Sequence, residues 1–233
     1  MSDTRQPLPS HAGHRARLRE RFQRAGFAGF SEHEIVELLL TLCIPRRDVK
    51  QPARELLKRF GSIRALLDAP PEALRETPGL GEVAPIALRI IRETATLYLQ
   101  QGVEGQPLLN AIEKIDDFWR SRLGSLGHEV FEVGYLDSAY RLLQNGVERL
   151  QEGTIDRAAV YPRRVVEAAL RRGASGLVLA HNHPNGVCRP SEADFKLTDA
   201  IANAAAPLSI RVVEHLILTR DAAYSFRRQG HLK

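Results

Sequence analysis

The sequence predicts an α/β domain preceded by a small all-helical one. Three observations lead there. Residues 31–100 carry helical apolar spacing with capping residues at the element starts. Residues 101–109, QGVEGQPLL, break that periodicity with two glycines and a proline. From residue 129 the spacing changes to period two, and segments then follow in the order strand–strand–helix–strand–helix–strand–strand. The 233 residues divide into a basic arm (1–30), a helical domain (31–100), a linker (101–109) and an α/β domain (110–233) of ordinary domain size.

In chain order, residues 1–13 are rich in Pro, Ser and Gly and read as disordered, and Arg15–Arg24 as a short basic helix. Ser31 and Glu34 form a capping box that opens a helix with Ile35, Leu38, Leu39 and Leu42 on one face, ended by Pro45. Asp48 caps a second helix, with Leu56, Leu57 and Phe60 apolar and Gly61 at its end. Ile63–Leu67 and Pro71–Leu74 are two more short helices. After Thr77-Pro-Gly-Leu-Gly81 comes a long helix with Ile86, Ile90, Leu97 and Tyr98. Asn110 and Glu113 cap a helix through Ile112, Ile115, Phe118 and Leu123. Glu129–Asp137 places Phe131, Val133 and Tyr135 on one strand face. Tyr140–Leu143 and Val147–Leu150 are extended, with Asn145-Gly146 as the turn between them. Pro162–Arg172 is a helix with Val165, Val166, Ala169 and Leu170 as its buried stripe. Gly176–His181 is a buried strand, Ser191–Ala205 a helix, and Arg211–Thr219 and Ala223–Phe226 the last strands.

Composition narrows the function classes. The chain is 43% hydrophobic and 26% charged, as ordinary soluble domains are. No apolar run nears the roughly 20 residues that span a bilayer, and no secretory signal is evident. Cys43 and Cys188 fall in different halves and suggest no disulfide framework. The expectation is a cytoplasmic protein with no membrane association. The net charge is +5, and residues 1–30, with six arginines against Asp3 and Glu20, carry most of it. Such an arm is compatible with contact to a nucleic-acid backbone through Arg15, Arg17 and Arg21, or with a plain solvated tail.

The chemically specific stretch is Gly176–Asp194. His181 and His183 are two apart at a strand end, so both imidazoles project to one side. Asp194 follows in the first turn of a helix. Two neutral imidazoles and a carboxylate make a three-ligand zinc site that leaves a fourth position for water. Ser191 is placed to donate to an oxyanion there, although Ser191 and Asp194 are equally a helix capping box. His215, amid Val and Leu, reads as a buried histidine behind the site rather than a fourth ligand. Cys188 reads as a bystander, and Trp119 as packing.

The text HNHPNGVCRPSEAD resembles the JAMM motif of the MPN/JAB1 metalloprotease superfamily. Together with EVFEVGYLD, EGTIDRAAVYPRRVVEAAL, RVVEHLIL and AYSF, it resembles the bacterial RadC family over about residues 30–230. PGLG with its flanking helices resembles a helix-hairpin-helix turn, in which Gly79 and Gly81 would let backbone amides approach a DNA phosphate. Glu82 follows where that motif often carries a basic residue, so a purely structural hairpin is an equal reading. The RadC resemblance implies a cytidine-deaminase-like α/β/α domain with one zinc ion on His181, His183 and Asp194. It also implies a glutamate from outside the motif acting as general base. Glu129 matches best, with Glu132 the main competitor and Glu148 and Glu152 behind it. The expected activity is zinc-dependent hydrolysis of an amide or isopeptide bond in a protein or peptide substrate. The alternatives are a DNA-associated repair or recombination protein whose zinc domain is regulatory or nucleolytic, and an interaction module with a structural zinc.

Overall fold

The computed structural model describes residues 10–105, 112–152 and 160–232. The chain divides into two compact units, residues 1–95 and 96–233. The first holds α1 (Ser10–Ala25), α2 (Glu32–Cys43), α3 (Lys50–Phe60), α4 (Ile63–Asp68), α5 (Pro71–Arg75) and most of α6 (Val83–Val103). Val36, Leu40, Leu56, Leu66, Leu74 and Leu88 meet in its core. Ser31 and Glu34 close the expected capping box, and Gly61 ends α3 in the left-handed conformation, φ 81°.

Two expectations are corrected here, and the buried face of α6 is identified. Residues 10–13, read as disordered, form the first turn of α1, while residues 1–9 lie outside the described residues. The stripe Ile86, Ile90, Leu97 and Tyr98 of α6 is exposed, and Ala84 and Leu88 are buried instead. Periodicity identifies residues that share a face, but not which face is covered. The segment read as a linker is helical to Val103, and residues 106–111 lie outside the described residues. The unit division falls within α6, between Ala95 and Thr96.

The second unit is a three-layer α/β/α domain. Its sheet comprises β1 (Val130–Leu136), β2 (Leu142–Glu152), β3 (Gly176–Asn182), β4 (Arg211–Leu218) and β5 (Ala223–Ser225). Their spatial order is β2-β1-β3-β4-β5. All pairs are antiparallel except β3/β4, whose parallel pairing needs the crossover helix α9 (Glu192–Ala205). On one face α7 (Ile112–Leu123) buries Phe118, Trp119 and Leu123 against Val130, Leu136, Val178 and Leu216. On the other, α8 (Pro162–Arg172) and α9 cover Phe131, Val133, Leu177 and Leu179. Alternation along β1 and β3 therefore sorts side chains cleanly between two cores.

β2 differs from its expected form. It is one strand, not two pieces around an Asn145-Gly146 turn. The chain reverses earlier, where the Asp137 carboxylate accepts the amides of Ala139 and Arg141 at 2.8 and 2.9 Å. Asn145 takes φ 52° inside the strand, and the β1/β2 register shifts between Gly134 and Leu136. An Asn-Gly pair suits a bulge as well as a turn. In α8, Leu170 is exposed, unlike its stripe neighbours Val165, Val166 and Ala169.

Candidate metal centre

β3 reads GLVLAHN and is buried throughout. Its apolar run carries His181 to the strand's end, on the face of Leu177 and Leu179. His183 follows one residue past the strand, its amide donating to the Leu218 carbonyl at 2.8 Å. Gly186, at φ 79°, helps the chain reverse toward α9, where Ser191 is the N-cap and Asp194 the third helical residue.

These segments bring three donors together. His181 Nε2 lies 3.0 Å from His183 Nε2 and 3.0 Å from Asp194 Oδ1. His183 Nε2 is 3.6 Å from Asp194 Oδ2. Donors on a tetrahedral zinc ion stand about 3.3 Å apart for bonds of about 2.0–2.1 Å, so the set fits such an ion. His183 Nδ1 is 2.9 Å from the Val187 carbonyl. A carbonyl only accepts, so Nδ1 carries the proton and Nε2 presents a lone pair to the cluster. A carboxylate and imidazole lone pairs crowded this closely require a cation or a proton among them.

The Asp194 carboxylate divides its work. Oδ2 accepts the Ser191 amide at 2.6 Å and the Ser191 hydroxyl at 2.7 Å, completing a reciprocal capping box. Oδ1 faces His181. Burial pushes the carboxyl's pKa up, but the His181 and His183 imidazoles, which donate to it when protonated, and the Ser191 backbone amide outweigh that and hold it well below the usual carboxylate range. The hydrogen bond to Asp194 raises the pKa of His183 against partial burial, and the Glu129 charge adds to the rise. The capping role read for Ser191 is therefore realised, and its hydroxyl is engaged by the carboxylate.

Glu129 stands half-buried immediately before β1, near enough for its charge to act on His183. The competing glutamates are committed elsewhere. Glu132 is fully buried and belongs to the alternate parity of β1, away from His181. Arg122 donates to it at 2.8 and 2.9 Å, and Arg149 pairs with it at 3.3 Å. Glu148 pairs with Arg172 at 3.1 Å and accepts the Tyr135 hydroxyl at 3.2 Å. The Glu152 side chain lies outside the described residues.

Three residues support the site: His215, expected as a buried histidine behind it, and Asn182 and Thr198, which sequence reading did not assign. Asn182, between the two histidines, points to the opposite face. Its Oδ1 accepts the buried Val130 amide at 2.8 Å. Its Nδ2 donates to the carbonyls of His128 at 2.9 Å and Leu126 at 3.3 Å. It therefore pins the segment that carries Glu129, and strand parity was the one available sign of its direction. His215 is wholly buried, its pKa driven well down by that burial, and it touches His181, as does Thr198 through His215. Thr198 is four residues after Asp194, one helical turn along the same face. Cys188 is turned away, its thiol donating to the Ile217 carbonyl at 3.4 Å, with its pKa pushed up by burial.

In the first unit the residues read for DNA are differently placed. Arg15 is buried and donates to the carbonyls of Pro45, at 2.5 Å, and Arg47. It is a clamp inside the fold and not a surface cation. Arg21 pairs with Glu34 at 2.6 Å and lies over the Phe30 ring. Arg17 is exposed. Gly79 and Gly81 have φ 84° and 66°, as a tight turn between α5 and α6 requires. Leu80 between them anchors in the core, and Glu82 lies 3.6 Å from Arg75.

Known proteins match both units. Residues 109–231 match the RadC-like JAB domain family, and residues 11–86 match the UPF0758 N-terminal domain. A UPF0758 protein of Ruegeria pomeroyi is 37% identical over 226 residues, 97% of this chain and 100% of that one. One from Paraburkholderia phytofirmans is 39% identical over 212 residues, 91% of this chain and 81% of its own. One from Burkholderia mallei is 38% identical over 212 residues, 91% and 76% of the two chains. With a JAB/MPN-type sheet domain behind a UPF0758 N-terminal domain, the chain belongs to the RadC family.

Proposed function

We propose that the second unit is a zinc-dependent peptidase or isopeptidase acting on a protein or peptide substrate. One observation carries this: the convergence of His181 Nε2, His183 Nε2 and Asp194 Oδ1, with a half-buried glutamate beside it. A zinc ion held there would lower the pKa of its water toward about 7 and polarise a carbonyl. Glu129 takes a proton from the attacking water and returns it to the leaving amine. Asn182 keeps Glu129 in place by fixing the backbone on either side of it. Ser191 holds Asp194 through its amide as well as its hydroxyl, so its hydroxyl can turn toward a developing oxyanion while the amide keeps the carboxylate in place.

The N-terminal arginines weigh less for a DNA partner, because Arg15 and Arg21 are engaged within the fold. Among the described residues no helix is long and apolar enough to cross a membrane.

The test is elemental analysis of full-length protein purified without chelators, followed by digestion of a peptide and isopeptide library. One zinc per chain is expected, with cleavage lost on Glu129→Gln while zinc stays. Absence of zinc would sink the reading. Cleavage undiminished in the Glu129→Gln protein would remove Glu129 from it.

A further inference from the structure

We propose that His215 and Thr198 are positioning residues that fix the tautomer of His181, so that its Nε2 lone pair faces the metal. The purpose of this device rests on the metal-centre reading above, but its geometry does not.

The deduction starts from a carbonyl. Thr198 Oγ1 lies 2.5 Å from the main-chain oxygen of Asp194. A carbonyl oxygen has no proton to give, so the hydroxyl donates. With its one proton so used, Thr198 Oγ1 can only accept from His215 Nδ1, 2.7 Å away. His215 Nδ1 therefore carries a proton. The His215 ring is wholly buried, stacked on Phe226 with centroids 4.6 Å apart and edge-on to Phe131. A charge there would be costly, so the ring has one proton and its Nε2 is a lone pair. That nitrogen is 3.0 Å from His181 Nδ1. His181 Nδ1 must then donate, and the remaining lone pair of His181 is on Nε2. Nε2 is the atom 3.0 Å from both His183 Nε2 and Asp194 Oδ1.

One proton arrangement therefore satisfies every atom of the chain from His181 through His215 and Thr198 to the Asp194 carbonyl. The chain begins on one ligand and ends on the backbone of another, which ties the His181 ring to the first turn of α9. His183 reaches the same tautomer by a different route, through the Val187 carbonyl. The other orientation of the relay would put an N–H of His181 into the cluster, where it would repel a cation. Partners of this kind on the far nitrogen of a metal-binding imidazole typically change affinity roughly 10–100-fold.

The test has two readouts, neither of them catalytic. Long-range ¹H–¹⁵N correlation spectra of metal-free, histidine-labelled full-length protein are expected to show His181 and His215 both protonated at Nδ1. In Thr198→Val the His181 signals should move toward the Nε2–H form. Zinc affinity, measured by competition with a chromophoric chelator, should fall roughly 10–100-fold in His215→Leu. His215→Gln should recover most of it, because its carbonyl can accept from His181 and its amide can donate to Thr198. An Nε2–H tautomer of His181 in the native metal-free protein would overturn the inference. So would native zinc affinity in folded His215→Leu. Should that variant not fold, the spectra of the native and Thr198→Val proteins decide. A native protein that binds no zinc refutes the metal reading separately, and the tautomer spectra still test the relay.

Discussion

Replacing Asn182 by alanine is the sharpest probe of how the fold serves the site. The change removes three hydrogen bonds between the end of β3 and the segment 126–130. The two carbonyls belong to the half-buried Leu126 and the exposed His128, so water can replace the amide there at about 0.5 kcal/mol each. The Val130 amide belongs to a residue only 1% exposed. Left without an acceptor, it costs about 1–3 kcal/mol. The total is about 2–4 kcal/mol, or very roughly 6–12 °C in the melting temperature of a domain this size. Thermal unfolding followed by circular dichroism measures the whole, and hydrogen exchange reports the local part. Protection of the Val130 amide should fall about 10-fold or more, since 1.4 kcal/mol is a factor of ten. Zinc stoichiometry should hold, because the Asn182 side chain lies on the face away from the ligands, while cleavage falls as Glu129 loosens. A melting temperature within 1 °C of native, together with unchanged Val130 protection, would refute the reasoning.

Other outcomes follow from the same geometry. A Cβ on Gly134 would lie 2.6 Å from the Trp119 ring, so Gly134→Ala should destabilise by about 1–3 kcal/mol through overpacking, read from urea unfolding; at Gly127, where nothing lies within 4 Å, alanine makes no such clash. Glu132→Gln leaves Arg122 and Arg149 facing a neutral amide and should cost about 1–3 kcal/mol, yet leave zinc content and cleavage intact, whereas Glu129→Gln keeps zinc and loses cleavage. The hydrogen bond from Arg21, then that from the Ser31 amide, lowers the Glu34 pKa to about 2. Its contribution is therefore fully present above about pH 4.5 and is lost as pH falls toward 2. The pair is solvent-exposed, so the loss should be below about 1 kcal/mol, and Glu34→Gln should flatten that part of the stability–pH curve. Stripping the metal with a chelator should lower the melting temperature of the native protein but not that of His181→Ala, because a ligand held only by the folded state stabilises it.

The site was legible where its logic is local. Strand parity put His181 and His183 on one side, and the capping spacing put Asp194 in the first turn of α9. Glu129 required the family resemblance, because nothing adjacent in sequence marks it. The role of Asn182 depends on a partner 52 residues away, and no spacing rule reaches across that distance; His215 was read as buried behind the site, but its contact with His181, 34 residues away, was not. In the fold, the Asn145-Gly146 pair misled because the backbone conformation that makes a tight turn also makes a bulge. The competing signal was Asp137, whose carboxylate gathers the amides of the real turn. For α6 the apolar period was genuine, but the buried positions are Ala84 and Leu88, which join a core with Leu56, Leu66 and Leu80.

The two oxygens of Asp194 carry a consequence for how this centre can change. One accepts the Ser191 amide and the other turns to the imidazoles, so folding and the proposed chemistry converge on a single side chain. A glutamate can close such a box, as Glu34 does with Ser31, but its extra methylene would displace the oxygen that faces the imidazoles. A histidine would remove the carboxylate that accepts the Ser191 amide and hydroxyl, leaving only the half of the capping box that Ser191 supplies. Asparagine is the informative exchange: its carbonyl can still accept the Ser191 amide, while the charge that holds a cation is gone. Two unrelated demands therefore meet at this position, and Asp194→Asn is the substitution that takes them apart.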